Sequence, residues 1–258
     1  MSGFSTSQLL SGKYSISSKA SGHFRELVTN KADPARMPLN TQRPIIYLIT
    51  SGHTTQETIP DSGDFSQILT TVAAAVAAQV DIIQIREKRL NARVLYELAL
   101  KAAALVKGSQ TRLLVNDRAD IASAAQADGV HLTTRSIQTS VIRKTFREEF
   151  LIGVSTHNLT EVCNAQSEGA DFVVFGPVFH TASKELFGEP VGLESLQQVA
   201  AHVRPLPVLA LGGVSLDRVS DCFRAGAAGI AAISLFRQED RLPILVAEIR
   251  RLFREQRQ

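Results

Sequence analysis

The chain has 258 residues, with 28 Lys and Arg against 25 Asp and Glu, a formal charge of +3. Hydrophobic residues at 44% and charged residues at 21% exclude a wholly disordered chain, and no uncharged run of about 18 apolar residues is present to cross a membrane. Two cysteines, Cys163 and Cys222, are too few for a disulfide framework or a Cys-rich zinc site.

Residues 1–36 carry Lys13, Lys19, Arg25, Lys31 and Arg36 against Glu26 and Asp33, so the whole +3 lies there and the other 222 residues balance. The segment holds eight serines and no helical or strand period. Its composition fits a disordered tail or a targeting peptide, and Met37 offers an alternative start. Residues 1–42 are read as a disordered, basic, Ser-rich extension and 43–258 as the folded domain. The charge-balanced folded part has no positive excess for a phosphate backbone, so neither nucleic acid nor membrane is an expected partner. A cytoplasmic protein, compatible with a homo-oligomer, is expected.

From residue 44 short β-branched runs alternate with Ala- and Leu-rich runs of helical period. Strands are predicted over 45–50, 81–86, 112–116, 129–133, 151–155, 172–176, 207–211 and 229–234. Helices are predicted over 65–79, 92–107, 121–127, 139–149, 159–168, 193–203, 216–224 and 242–256. Eight β–α units in 215 residues predict a single (β/α)8 TIM barrel, whose usual size is about 250 residues. Strands covered on both faces explain apolar runs such as Phe172-Val173-Val174-Phe175. A doubly wound sheet is less consistent, because no G-x-G-x-x-G follows the first strand.

In such a barrel the chemistry sits at the carboxyl ends of the strands. The second strand ends Gln84-Ile85-Arg86-Glu87-Lys88, and alternation sends Gln84, Arg86 and Lys88 to the mouth. Three donors, two of them cationic, suit a diphosphate, and a salt-bridged rim with Glu87 is the structural alternative. Asn116-Asp117-Arg118 ends the third strand, where Asp117 either caps the next helix or binds Mg2+. His131 lies within the fourth strand and reads as a satisfied interior histidine. Ser155-Thr156-His157 ends the fifth, with His157 either catalytic or a packing residue. The loop after the sixth strand is the longest of its kind and a lid candidate, offering Thr181, Ser183 and Lys184. Gly212-Gly213 and Ile233-Ser234 end the last two strands, the usual phosphate site of these barrels. The mouth therefore holds one neutral cradle for a monophosphate and one cationic site.

These strings, together with Ala127-Asp128-Gly129-Val130-His131-Leu132 and Gly153-Val154-Ser155-Thr156-His157, resemble the thiamine phosphate synthase family and its thiazole tautomerase relatives over roughly 45–240. The family joins a hydroxymethylpyrimidine diphosphate to a thiazole phosphate and releases diphosphate by a dissociative displacement. The resemblance implies a transferase of thiamine biosynthesis acting on small phosphorylated molecules. It implies that Gln84, Arg86, Lys88, Asn116, Ser155 and Lys184 hold the pyrimidine diphosphate, with Arg86, Lys88, Ser155 and Lys184 serving the chemistry. It implies Asp117 as a Mg2+ ligand, and Thr181, Ser183, Gly213, Ile233 and Ser234 around the thiazole phosphate. Neutralising the leaving group matters more for this chemistry than a general base.

The chain departs from the pattern twice. Where the synthases place Gly-Gln-x-Asp after His-Leu, it has Thr133-Thr134-Arg135-Ser136, so a second carboxylate is replaced by Ser136, Arg135 adds a charge where the metal would sit and Mg2+ binding is weakened, with direct contact of Arg135 with the diphosphate or a different ligand as the alternatives. Where the tautomerases carry an acid/base histidine, it has Pro177, leaving His180 or His157 as the alternative proton carrier. A tautomerase-like isomerase and a non-catalytic binder of thiazole phosphate are the competing readings.

Overall fold

The computed structural model describes residues 39–181 and 189–256. Among them eight parallel strands close a barrel in sequence order. They are β1 (Ile45–Ile49), β2 (Ile82–Ile85), β3 (Arg112–Asn116), β4 (Gly129–Leu132), β5 (Leu151–Thr156), β6 (Phe172–Phe175), β7 (Val208–Leu211) and β8 (Gly229–Ala232). The helices between and after them are α1 (Gly63–Ala77), α2 (Ala92–Val106), α3 (Ala119–Ala124), α4 (Thr139–Thr145), α5 (Leu159–Ser167), α6 (Gly192–His202), α7 (Val219–Arg224) and α8 (Leu242–Glu255). Residues 1–38, most of the expected extension, lie outside the described residues, as do Ser183 and Lys184.

The strands are apolar on both faces because each face is covered. Tyr47, Ile82, Leu114, Leu151, Phe172 and Leu209 form one buried cluster inside the barrel. Their neighbours of opposite parity, Leu48, Ile83, Val115, Ile152, Val173 and Ala210, join the cluster shared with the helices. Period two thus divides each strand between two cores.

Among the element boundaries that differ from the sequence expectation, three change the local structure most. α4 stops at Thr145, after which Phe146 and Phe150 stack at 4.8 Å rather than continuing a helix. The stretch 216–224 begins as a 3-10 turn, Leu216–Arg218, before α7. β8 ends at Ala232, and Ile233, at φ −103° and ψ −61°, turns the chain into a 3-10 helix, Ser234–Phe236. Ser234 therefore opens a helical turn, whose first N–H groups have no acceptor within the turn.

A repeat of two β–α units runs through the opposite end of the barrel. α1, α3, α5 and α7 each end in a Schellman motif with Gln79, Gln126, Gly169 or Gly226 in the left-handed region. The closing bonds are Val80 N–H to Ala75, Ala127 to Ala122, Ala170 to Ala165 and Ala227 to Cys222. After three of these motifs comes an aspartate that caps the preceding strand. Asp81 accepts from Ile46 N–H at 3.0 Å, Asp128 from Leu113 N–H at 2.8 Å and Asp171 from Ile152 N–H at 2.7 Å. Each is also ion-paired, with Arg43, Arg112 and Arg143 respectively. This frame fixes where the strands start, and hence where their carboxyl ends emerge.

Candidate active site

Inward parity continues past the ends of β2 to β5, and it changes there from apolar to polar. Gln84 is buried, accepts from the Tyr47 hydroxyl at 3.1 Å and donates to Asn116 Oδ1 at 2.9 Å. Asn116 is also buried, and its Nδ2 donates to Asp117 Oδ2 at 3.1 Å. Ser136 donates to the other carboxylate oxygen, Oδ1. A chain of hydrogen bonds thus runs from the barrel interior to an exposed carboxylate. Burial holds the Tyr47 phenol well above its usual range, so it stays a neutral donor. Asp117 sits at φ 60°, a left-handed conformation that Asp tolerates better than most side chains.

Lys88 lies within electrostatic reach of this carboxylate and of two arginines. Lys88 is exposed, and its pKa is lowered by partial burial and then by Arg86 and Arg135, while Asp117 acts in the opposite sense. Arg86, half-buried, lies beside Gly52, where a Cβ would come within 3.4 Å of the guanidinium. Glu87 does not pair with this group. It is buried with the opposite parity and accepts from Thr50 Oγ1 at 2.6 Å, Gly52 N–H at 3.1 Å and Thr54 Oγ1 at 2.8 Å. The alternative of a salt-bridged rim therefore fails: Glu87 ties down the loop after β1, and the neighbouring cations face the mouth.

Ser155 is held from below by His131, whose Nε2 lies 2.9 Å from the hydroxyl. His131 is fully buried against Tyr47 and Phe172, with ring centroids 5.6 and 6.2 Å away, and its Nδ1 has no partner. It is thus not the fully satisfied interior histidine expected. Burial, aided by Arg86, pushes its pKa down to about 3, so the ring is neutral. A proton on Nδ1 would be a buried donor without an acceptor, so the proton belongs on Nε2. Nε2–H then donates to Ser155, whose own O–H is left to point at a ligand. Gly153 makes room for this ring: a Cβ there would lie 2.3 Å from Phe172 and 2.8 Å from His131 Nδ1. Parity was the available signal for His131, since it pairs in register with Asn116 on one side and Gly153 on the other.

His157 is not offered to the mouth as a free base. Glu161 of α5 accepts from its backbone N–H at 2.7 Å and contacts its Nδ1 at 3.0 Å, an arrangement that caps the helix. His180 is exposed, and Thr181 is the last described residue before 182–188.

On the other side of the mouth, Gly213 has φ 62° and packs so closely on the loop after β6 that a Cβ would lie 2.4 Å from the His180 carbonyl oxygen. Val178 N–H to Leu211 at 2.7 Å and Phe179 N–H to Gly212 at 3.0 Å bind the two loops together. Ile233 and Ser234 follow the end of β8, which pairs with both β7 and β1. A separate cavity of about 350 Å³ lies between the loop after β1, α1 and the turns after β8, lined among others by Thr54, Asp64, Ile68, Thr71, Ile233 and Glu239. Of the residues expected in the site, Gln84, Arg86, Lys88, Asn116, Asp117 and Ser155 are joined by contacts or electrostatics. Gly213, Ile233 and Ser234 form the neighbouring glycine and helix-start edge.

Comparison with known proteins adds independent findings. The sequence model of the family described as Thiamine monophosphate synthase matches residues 46–236. A protein of Chloroflexus aurantiacus named thiamine-phosphate synthase is 35% identical over 181 residues, 70% of this chain and 83% of its own length. One of the same name from Halalkalibacterium halodurans is 40% identical over 160 residues, 62% of this chain and 75% of its own. Among solved structures, a thiamine phosphate pyrophosphorylase from Pyrococcus furiosus superposes with a TM-score of 0.67 at 29% identity, covering 81% of this chain and 95% of that one.

Proposed function

Because this chain belongs to the thiamine monophosphate synthase family, we propose that it joins a hydroxymethylpyrimidine diphosphate to a thiazole phosphate and releases diphosphate. The observation that carries the proposal is the composition of the mouth: Lys88 feels Arg86, Arg135 and the Asp117 carboxylate, beside a buried Tyr47-Gln84-Asn116 chain. Cations at that place stabilise the charge that develops as the diphosphate departs. The methylene C–O bond breaks with its electron pair staying on the diphosphate. The thiazole nitrogen then supplies the pair for the new C–N bond.

The roles divide by position. Arg86 and Lys88 neutralise the leaving group, with Lys184 of the loop after β6 as a third contributor. Gln84 and Asn116, fixed by Tyr47, read polar edges of the pyrimidine. Ser155, accepting from His131, turns its hydroxyl proton toward an anionic oxygen. Gly213, Ile233 and Ser234 offer N–H groups to the thiazole phosphate, helped by Thr181 and Ser183. The ligands are small phosphorylated molecules. Among the described residues no helix is long and apolar enough to cross a membrane.

Mg2+ prefers one or two carboxylates completed by substrate phosphate oxygens. Asp117 is the carboxylate available here, both its oxygens already accept from Asn116 and Ser136, and Lys88 acts on it. Among the described residues no group of three His, Cys, Asp or Glu side chains is placed to hold a metal. This donor set does not fit a resident divalent ion, and no step above passes through one.

The test is a two-substrate assay. Thiamine phosphate and diphosphate are expected in equal amounts. Arg86→Ala and Lys88→Ala should each lower kcat/KM by about 100-fold or more, the size of losing one charged stabiliser. His157→Ala should change it less than about threefold, since that side chain is engaged by Glu161. Absence of product at high enzyme concentration would overturn the proposal.

A further inference from the structure

The turn after β4 is built to present a cation. Ser136 N–H donates to the Thr133 carbonyl at 3.0 Å, and Arg135 N–H to Thr133 Oγ1 at 3.3 Å. Ser136 Oγ accepts from Thr133 N–H at 2.6 Å while its proton goes to Asp117. The hydroxyl of Ser136 is thereby committed, and the turn is locked to the end of β3. Its one charged side chain, Arg135, is exposed and acts on Lys88 in concert with Arg86. The turn thus brings Arg135 to the end of β3 beside Asp117, where Lys88 feels Arg86 and Arg135 against one carboxylate whose two oxygens each accept from a neutral donor. That is the charge balance of an anion site, with a net excess of two positive charges to meet a diphosphate.

We propose that Arg135 completes a metal-independent diphosphate cradle with Arg86 and Lys88, taking the place that a divalent cation would otherwise fill. A planar guanidinium suits this role because it can bind two phosphoryl oxygens at once and stays charged at every working pH. The electron pair of the breaking C–O bond moves onto a diphosphate already neutralised by protein side chains, so no co-reactant is needed. The inference rests on the synthase reading for the identity of the bound diphosphate, but its binding test does not.

The test is calorimetric titration of the full-length protein with inorganic pyrophosphate, in EDTA and again in excess Mg2+. The dissociation constant in EDTA should lie within about threefold of that in Mg2+, since the protein supplies the neutralising charge. Arg135→Ala should weaken binding in EDTA by about 10- to 100-fold, the loss of a charge-assisted pair, and Arg135→Lys should recover part of it. Because Arg135 is exposed in a turn, both variants are expected to fold, which a melting curve checks. Ser136→Asp, which adds a second carboxylate beside Asp117, should make binding rise with Mg2+.

Binding in EDTA more than about tenfold weaker than in Mg2+ would overturn the cradle, as would an Arg135→Ala protein that binds as the native one does. If pyrophosphate binds as expected and the two-substrate assay yields no product, the cradle stands and the synthase reading falls. Product formed only with Mg2+ has the converse meaning.

Discussion

At the level of single residues, parity along a strand did more than residue type. Gln84, Arg86 and Lys88 share a face and Glu87 takes the other, so one buried carboxylate anchors a loop while its neighbours serve a ligand. His131 shows the reverse difficulty. As a residue type it reads as packing, and only its contacts reveal a neutral donor that sets the direction of Ser155. Its buried ring has a measurable consequence. The folded-state pKa of about 3 is below the usual 6.5, so between these values the unfolded chain binds a proton that the folded one does not. This contribution is intact above pH 6.5 and is lost progressively as pH falls toward 3. At pH 4.5 the loss amounts to roughly 2–3 kcal/mol, two pKa units at about 1.4 kcal/mol each. Urea unfolding at pH 7 and pH 4.5 should therefore show a smaller pH-dependent loss for His131→Gln than for the native chain. Equal losses would place the pH sensitivity elsewhere.

Among the elements, the strands and long helices were readable because period and composition agreed. α2 and α5 also carry asparagine caps, Asn91 and Asn158, that accept from Val94 N–H at 3.0 Å and Glu161 N–H at 2.9 Å. Helix ends were harder to read. α5 and α7 are followed by Gly169 and Gly226, the usual left-handed stop, but α1 and α3 stop with Gln79 and Gln126 in the same conformation. Glutamine gives no stop signal, and the predicted end of α3 accordingly ran to residue 127. The aspartates after these turns are load points of the frame. Asp171 is 5% exposed, accepts from Ile152 N–H and pairs with Arg143 at 2.6 Å. Arg143 also reaches the carbonyls of Gly169 and Phe150. Asp171→Ala would leave a largely buried guanidinium without its counter-charge and a strand N–H without its acceptor, and should cost about 3–5 kcal/mol in chemical denaturation. Asp128→Ala, at 26% exposure, should cost less, about 1–2 kcal/mol. Equal losses would show that the repeat does not depend on burial.

Over the whole molecule, barrel closure makes one functional surface from eight separate strand ends. Every strand and helix of the barrel falls within 45–255, while the surplus of positive charge falls within 1–36. We propose that 43–258 is the folding unit. A chain starting at Met37 should then keep its Tm within about 2 °C and its turnover, and should elute earlier from a cation exchanger. A large fall in Tm would assign the first 36 residues a part in the fold.

The sequence by itself determined the architecture, because eight consecutive strand runs spaced by amphipathic helices favour closure into one barrel that buries both strand faces. It also determined which residue types reach the mouth, since alternation along a strand is a property of the backbone. It could not decide who partners whom there. The contacts of Asp117 with Ser136, of His131 with Ser155 and of Glu87 with Thr50 and Thr54 join residues 19 to 37 positions apart. Their distances are set by strand register and closure, which are sums over the whole barrel. The tertiary structure therefore decided that Arg135, a charge the sequence already put in the place of a metal, stands on a turn tied to Asp117 through Ser136 and acts on Lys88 together with Arg86.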